Sequence, residues 1–189
     1  MRVFLILLAA LFSTHSRASD TALYVEAGSS FSNMMKTTSS DDASKSLLGT
    51  HQFIFSLSGK VWGFRPEVAY TILPRKGPDD TYKSRLMVIQ IPYLFDMTDS
   101  IALKAGASLW MHKVSGDGGT VLLSNGTGTS TFYKPERSSS ANTLAFTAGA
   151  TFMIFDGLGL DFDLNLLSPL SKRRSISAIA QLTWSLYEN

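Results

Sequence analysis

Apolar and polar residues alternate along most of this chain, in about eight runs of roughly ten residues. The clearest are the two runs within residues 52–73, QFIFSLSGKVWGFRPEVAYTIL. Phe53, Phe55, Leu57, Gly59 and Val61 share one parity, and Gln52, Ser56, Ser58 and Lys60 the other, with Ile54 as an apolar exception. After Trp62-Gly63 the alternation resumes, Phe64, Pro66, Val68, Tyr70 and Ile72 against Arg65, Glu67, Ala69 and Thr71. A period of two places each set on one face of a strand, so the segment predicts a hairpin with one apolar and one polar face.

The same period marks strands at 23–33, 101–112, 144–155, 160–166 and 176–187. Residues 85–95 (RLMVIQIPYLF) are apolar on both parities, so periodicity predicts a strand there without assigning its faces. Three connections between runs are tight, at Trp62-Gly63, 96–99 and 156–159. Four are long and polar, at 34–49, 73–84, 113–142 and 168–174. Within 113–142, two short runs flank Ser124-Asn125-Gly126-Thr127, and Asn-Gly between such runs predicts a small hairpin.

A soluble sheet buries its apolar face, whereas a membrane barrel turns that face to lipid and its polar face to a lumen. Strict alternation of short and long connections favours the barrel, with short periplasmic turns and long extracellular loops. In residues 160–166, Leu160, Phe162, Leu164 and Leu166 oppose Asp161, Asp163 and Asn165. Small residues crowd the polar parity (Gly28, Ser30, Ser56, Ser58, Gly106, Ser108, Gly149), which suits a narrow interior. The expectation is an all-β, eight-stranded, antiparallel up-and-down transmembrane β-barrel; a soluble lipocalin-like binding barrel is the alternative.

The first residues read as a leader. Arg2 precedes the apolar run VFLILLAALF, and Ser16-Arg17-Ala18 offers small residues for cleavage. Ten helical residues span about 15 Å, half of a bilayer core of about 30 Å. A signal peptide at 1–18 and a barrel domain at 19–189 are therefore expected. Loss of Arg2 and Arg17 from 17 basic residues leaves 15 against 15 acidic ones, so the mature chain is formally neutral. The chain has no cysteine, and its charged fraction of 17% is low, as expected of a surface that largely meets something other than water.

Gly63-Phe64-Arg65-Pro66-Glu67 leading to Tyr70, Lys76-Gly77, and Ile89-Gln90-Ile91-Pro92 carry a family resemblance, joined by a final strand of alternating apolar and aromatic residues. The chain resembles the small outer-membrane β-barrel domains of Gram-negative bacteria, including PorT-like proteins and, more distantly, the eight-stranded OmpX and OmpA barrels. The resemblance implies a barrel and no particular activity.

Projected inward, the polar parity places Glu26, Lys60, Arg65, Glu67, Lys104, Asp161 and Asp163 near the short-turn end. Charges in such a space must pair, because an unpaired buried charge is costly to desolvate. A closed, salt-bridged lumen is expected, with a narrow gated channel as the alternative. The long-connection end carries a basic rim, Arg75, Lys76, Lys83, Lys172, Arg173 and Arg174 among its twelve bases, against six acids. Its expected surroundings are outer-membrane lipid and lipopolysaccharide phosphates, and its expected role is structural or surface interaction. An extracellular protein or surface ligand could meet the 113–142 loop.

No catalytic constellation stands out. His112 and Ser108 share a strand face but lie about 13 Å apart along it, too far to pair. An outer-membrane lipid-modifying enzyme stays an alternative reading. Neither metal nor cofactor is expected, nor nucleic acid, and a monomer is.

Overall fold

The computed structural model describes residues 21–32, 50–76, 82–124, 129–133, 136–171 and 174–188. The leader at 1–18, the polar stretch 34–49, the Asn125-Gly126 turn, and Lys172 and Arg173 lie outside them. The strands are β1 (Ala22–Ser32), β2 (Thr50–Lys60), β3 (Glu67–Thr71), β4 (Arg75–Lys76), β5 (Lys83–Thr98) and β6 (Ile101–Ser115), then β7 (Thr120–Ser124), β8 (Thr129–Tyr133), β9 (Ser139–Phe155), β10 (Leu158–Leu167) and β11 (Ser175–Glu188).

The predicted corner at Trp62-Gly63 is a two-residue hairpin turn. Val61 and Phe64 exchange backbone hydrogen bonds of 2.8 and 3.0 Å around it. Trp62 and Gly63 both have positive φ, 52° and 80°. That pair of conformations defines a type I′ turn, whose twist matches the flanking strands. Side chains larger than glycine at position 63 would also press on the Tyr93 ring.

Every pairing is antiparallel, and each barrel strand meets its sequence neighbour. β1 joins β2 on one side and β11 on the other, while β3 joins β5, so the sheet closes on itself. Counting β3 and β4 as one interrupted stave gives eight, a closed antiparallel barrel. β7 and β8 pair with each other in a separate two-stranded ladder. The connection expected at 113–142 is narrower, because β6 runs to Ser115 and β9 starts at Ser139.

The third stave departs from the expected loop at 73–84. β3 ends at Thr71, and β4 resumes the ladder against β5, Arg75 opposite Ser84 and Lys76 opposite Lys83. The Thr71 hydroxyl fills the interruption, accepting from the Leu86 N–H (2.9 Å) and donating to the Leu86 carbonyl (3.0 Å). Pro92 sits well inside β5, in unbroken register with β6 on one side, while on the other it lies beyond the β3 pairing, which ends at Gln90, and its carbonyl accepts from the Arg65 N–H at 2.8 Å. A residue lacking its own N–H fits such a position.

Burial is inverted relative to a soluble barrel. On β10, Asp161, Asp163 and Asn165 are buried, and Leu160, Phe162 and Leu164 are exposed. Phe53, Phe55 and Leu57 of β2 likewise face out, as do Val68 and Tyr70 of β3. β5, apolar on both parities, turns Leu86, Val88, Gln90 and Leu94 inward and Met87, Ile89 and Ile91 outward. Aromatics collect at the short-turn end, where Trp62, Phe155, Trp184 and Tyr187 are exposed. There Tyr93 packs edge-on against Phe64 and Phe95, with ring centres 5.1 and 4.9 Å away.

The interior is not polar throughout, contrary to expectation. Ile54, Ala69, Leu86, Val88, Trp110, Ala145, Leu167 and Ile179 form a buried apolar cluster toward the end away from the short turns. Ile54 breaks the polar parity of its strand because it belongs to this cluster. Eight strands leave an interior that side chains can fill, and here they fill it in two chemically distinct halves.

The closing seam depends on a small residue. Gly28 faces Gln181 across the β1–β11 pair, and a Cβ there would overlap the Ala180 carbonyl. Gly28→Ala is expected to lower unfolding stability by about 1–3 kcal/mol, an overpacking cost. Urea titration of the refolded barrel, followed by tryptophan fluorescence, measures it.

Candidate functional site: an ionic network across the lumen

Arg65 follows the Trp62-Gly63 turn and belongs to no strand, its backbone pinned to β5 by the bond to Pro92. Its side chain crosses the lumen instead of lying along a wall. Nη2 meets Glu26 Oε1 at 2.9 Å, and Nη1 meets Asp161 Oδ2 at 3.0 Å. Nε donates to Ser58 Oγ (3.1 Å), Nη1 to Thr151 Oγ1 (3.1 Å) and Nη2 to Thr183 Oγ1 (2.9 Å). The guanidinium also stacks 4.4 Å from the Tyr24 ring centre. A planar fork of fixed donors suits such a junction, which a lysine point charge would not reproduce. One side chain thereby engages β1, β2, β9, β10 and β11.

Lys104 on β6 extends the network. Its ammonium contacts Asp161 and reaches Asp163 Oδ1 at 2.8 Å, so Asp161 is shared with Arg65. The Gln90 amide on β5 donates to Glu67 on β3 and to Asp163 Oδ2 at 3.0 Å. Followed from Glu67 through Gln90, Asp163, Lys104, Asp161 and Arg65, one connected set of contacts touches all eight staves.

All of this is out of water. Glu26, Arg65, Glu67, Lys104, Asp161 and Asp163 are each 3% exposed or less. Four carboxylates face two cations, and Glu67 contacts the neutral Gln90. Glu26 Oε2, Glu67 Oε1 and Gln90 Oε1 find no hydrogen-bond donor among the described residues. Deeper in the lumen a neutral layer follows. The Ser108 hydroxyl donates to Asn165 Oδ1 (3.0 Å) and accepts from Trp110 Nε1 (3.2 Å). The apolar cluster begins at that tryptophan.

Six of the seven expected luminal charges thus come together. Lys60 does not. It sits at the mouth, partly exposed, and pairs with Asp96 at 3.4 Å. As the last residue of its strand, it points past the network toward solvent. It lines a cavity of about 690 Å³ at the short-turn end, floored by Tyr24, Arg65 and Thr183 and rimmed by Asp96, Asp99 and Asp156. Gln90, Ser58, Thr151 and Thr183 complete the network but were not singled out from sequence. Parity marked Ser58, Thr151 and Thr183 as inward, yet neutral side chains at such positions also occur as plain filler, and Gln90 lies in the run 85–95, where parity assigned no face.

Of the expected basic rim, Lys76, Lys83 and Arg174 are exposed, and Arg75 contributes its backbone to β4. His112 stacks on Trp110, with ring centres 6.2 Å apart, rather than meeting a serine. Among the described residues, no three His, Cys, Asp or Glu side chains are grouped to hold a metal ion.

No protein-family model and no curated protein matches the chain. Solved structures do. The N-terminal β-barrel domain of Pseudomonas aeruginosa OprF is similar at TM-score 0.51 and 10% identity, covering 89% of this chain and 100% of that one. Neisserial surface protein A covers 89% of this chain and 98% of its own at TM-score 0.47 and 16% identity. The attachment invasion locus protein Ail of Yersinia pestis covers 92% and 100% at TM-score 0.48 and 14% identity. At these identities the likeness is one of fold, and the fold is that of outer-membrane barrels.

Removing one partner of a buried ion pair leaves the other uncompensated, at a cost of about 3–5 kcal/mol. Arg65→Met and Lys104→Met are each expected to destabilise the barrel by that order. Glu67→Gln should be neutral or stabilising, because it removes a buried charge that contacts no cation. Denaturant unfolding of the three variants side by side checks the ranking, and a large loss for Glu67→Gln would contradict it.

Proposed function

We propose that this protein crosses the bacterial outer membrane as a closed barrel and acts as a structural or surface-interaction scaffold. The observation that carries the reading is the inverted burial: a ring of exposed Leu, Phe, Ile and Val around a charged interior. In water that arrangement would expose an apolar belt far larger than a soluble monomer tolerates. In lipid it satisfies both faces, since closure pairs the backbone and the belt meets acyl chains. The short turns then lie in the periplasm, and the basic end faces the lipopolysaccharide leaflet.

The ionic network and the apolar cluster above it together support a plug and argue against a steady pore. β7 and β8 support a role in recognition, because they pair with each other and with no other described strand. Unpaired strand edges accept an extended peptide by main-chain hydrogen bonding.

The membrane-extracted protein is expected to show heat-modifiable gel mobility and to conduct no large, steady current in planar bilayers. A soluble periplasmic protein would sink the membrane reading, and open-pore currents would sink the plug. Deleting residues 120–133 should abolish surface binding while leaving assembly intact; unchanged binding would count against the hairpin as the contact site.

A further inference from the structure

Four cations stand together on the outward wall of β4, β5 and β6. Register opposes Lys76 to Lys83 and Arg85 to Lys113. Side chains directly opposite one another in an antiparallel pair point to the same side, about 5 Å apart, and like charges there repel. All four are exposed, while Ser84 and Leu86, on the opposite parity of β5, are buried. Lys83 and Arg85 are two residues apart, roughly 7 Å along the strand. Lys76 stands beside Lys83 on one side of β5 and Lys113 beside Arg85 on the other, so the patch is a staggered run of positive charge across three strands, roughly 10 Å wide and 7 Å tall.

Lys83, Arg85 and Lys113 form no ion pair with any described carboxylate. Arg85 Nη1 donates to the Tyr70 hydroxyl at 3.3 Å, which leans the guanidinium over the neighbouring stave. Next along the same outward faces come Met87, Ile89 and Ile91 on β5 and Leu109 and Met111 on β6. Charge gives way to apolar wall within one two-residue repeat. Arg85 and Lys113, juxtaposed with Lys83 beside them, are unfavourable as like charges by themselves and become favourable when an anion sits among them.

We propose that this patch docks the phosphate-bearing headgroup of a lipid whose acyl chains run down the apolar wall beneath it. The occupant is a lipid rather than free phosphate because the cations and the apolar wall are continuous on one face. Arg85 supplies a forked donor set suited to phosphate oxygens, and the lysines supply point charges around it. The proposal rests on the reading that the outer wall meets lipid. It narrows the expected basic rim to one side of the barrel and adds Arg85 and Lys113 to Lys76 and Lys83.

The mature protein is folded into phosphatidylcholine nanodiscs doped with bis-phosphorylated lipid A or with the same lipid dephosphorylated. Lipid retained on the released barrel is counted by native mass spectrometry. The wild type should retain the phosphorylated lipid preferentially, and K83Q/R85Q/K113Q should lose that preference by at least about tenfold, three of the protein's cations having been removed. Lys60→Gln, at the opposite end, should keep it. Should the triple variant not fold, K83Q/K113Q is measured instead, with a loss of several-fold expected.

Equal retention of both lipids by the wild type, an unchanged preference in the variants, or full displacement by millimolar inorganic phosphate would overturn the proposal. Heat-modifiable mobility on the same samples reports insertion. A wild type that does not insert removes the membrane reading and the lipid site together, whereas one that inserts without preference removes the site alone.

Discussion

The interior of this barrel depends on Arg65. An ion pair withdrawn from water repays its desolvation only with good geometry and further hydrogen bonds to the remaining donors. Arg65 meets that demand by crossing the lumen to Glu26 and Asp161 while Ser58, Thr151 and Thr183 surround it. Each partner stands on a different strand. The contacts that solvate the guanidinium therefore also fix the spacing of five staves, and Lys104, Gln90 and Glu67 extend the same set to the other three.

That network occupies the half of the lumen near the short turns. The other half holds Trp110, Leu86, Val88, Ile54 and Ile179, which need no charge compensation. Ser108, Asn165 and Thr147 separate the two, with the Trp110 indole N–H bonded into the polar layer. The division accounts for a filled interior better than either chemistry alone. An ionic layer through the full height would require many more pairs, and an apolar one would leave the Glu26 and Asp161 carboxylates stranded.

The outer wall is divided as well. Aromatic side chains crowd the short-turn end, and cations on β4, β5 and β6 stand at the other, with aliphatic residues between. This order suits a layered surrounding whose middle is apolar and whose margins are polar. The Gly28 position shows how closely strands approach where β1 meets β11, since even one methyl group would overlap the partner backbone.

Strand identity was legible because parity is local. An alternation such as Asp161-Phe162-Asp163-Leu164 assigns faces without knowledge of any other strand, and two residues between runs at Trp62-Gly63 dictate a hairpin. The same parity set Glu26, Arg65, Glu67, Lys104, Asp161 and Asp163 on inward faces near one end. Where parity was silent, as in residues 85–95, only the packed sheet chose Leu86, Val88 and Gln90 for the inside. Register decided the rest, because which residues oppose one another depends on how eight staves are staggered around a closed circuit. That stagger sends Lys60 to Asp96 and away from the network, brings Gln90 between Glu67 and Asp163, and lines up Lys76 with Lys83 and Arg85 with Lys113. The chain by itself determined which way its side chains face; the closed sheet determined which of them meet.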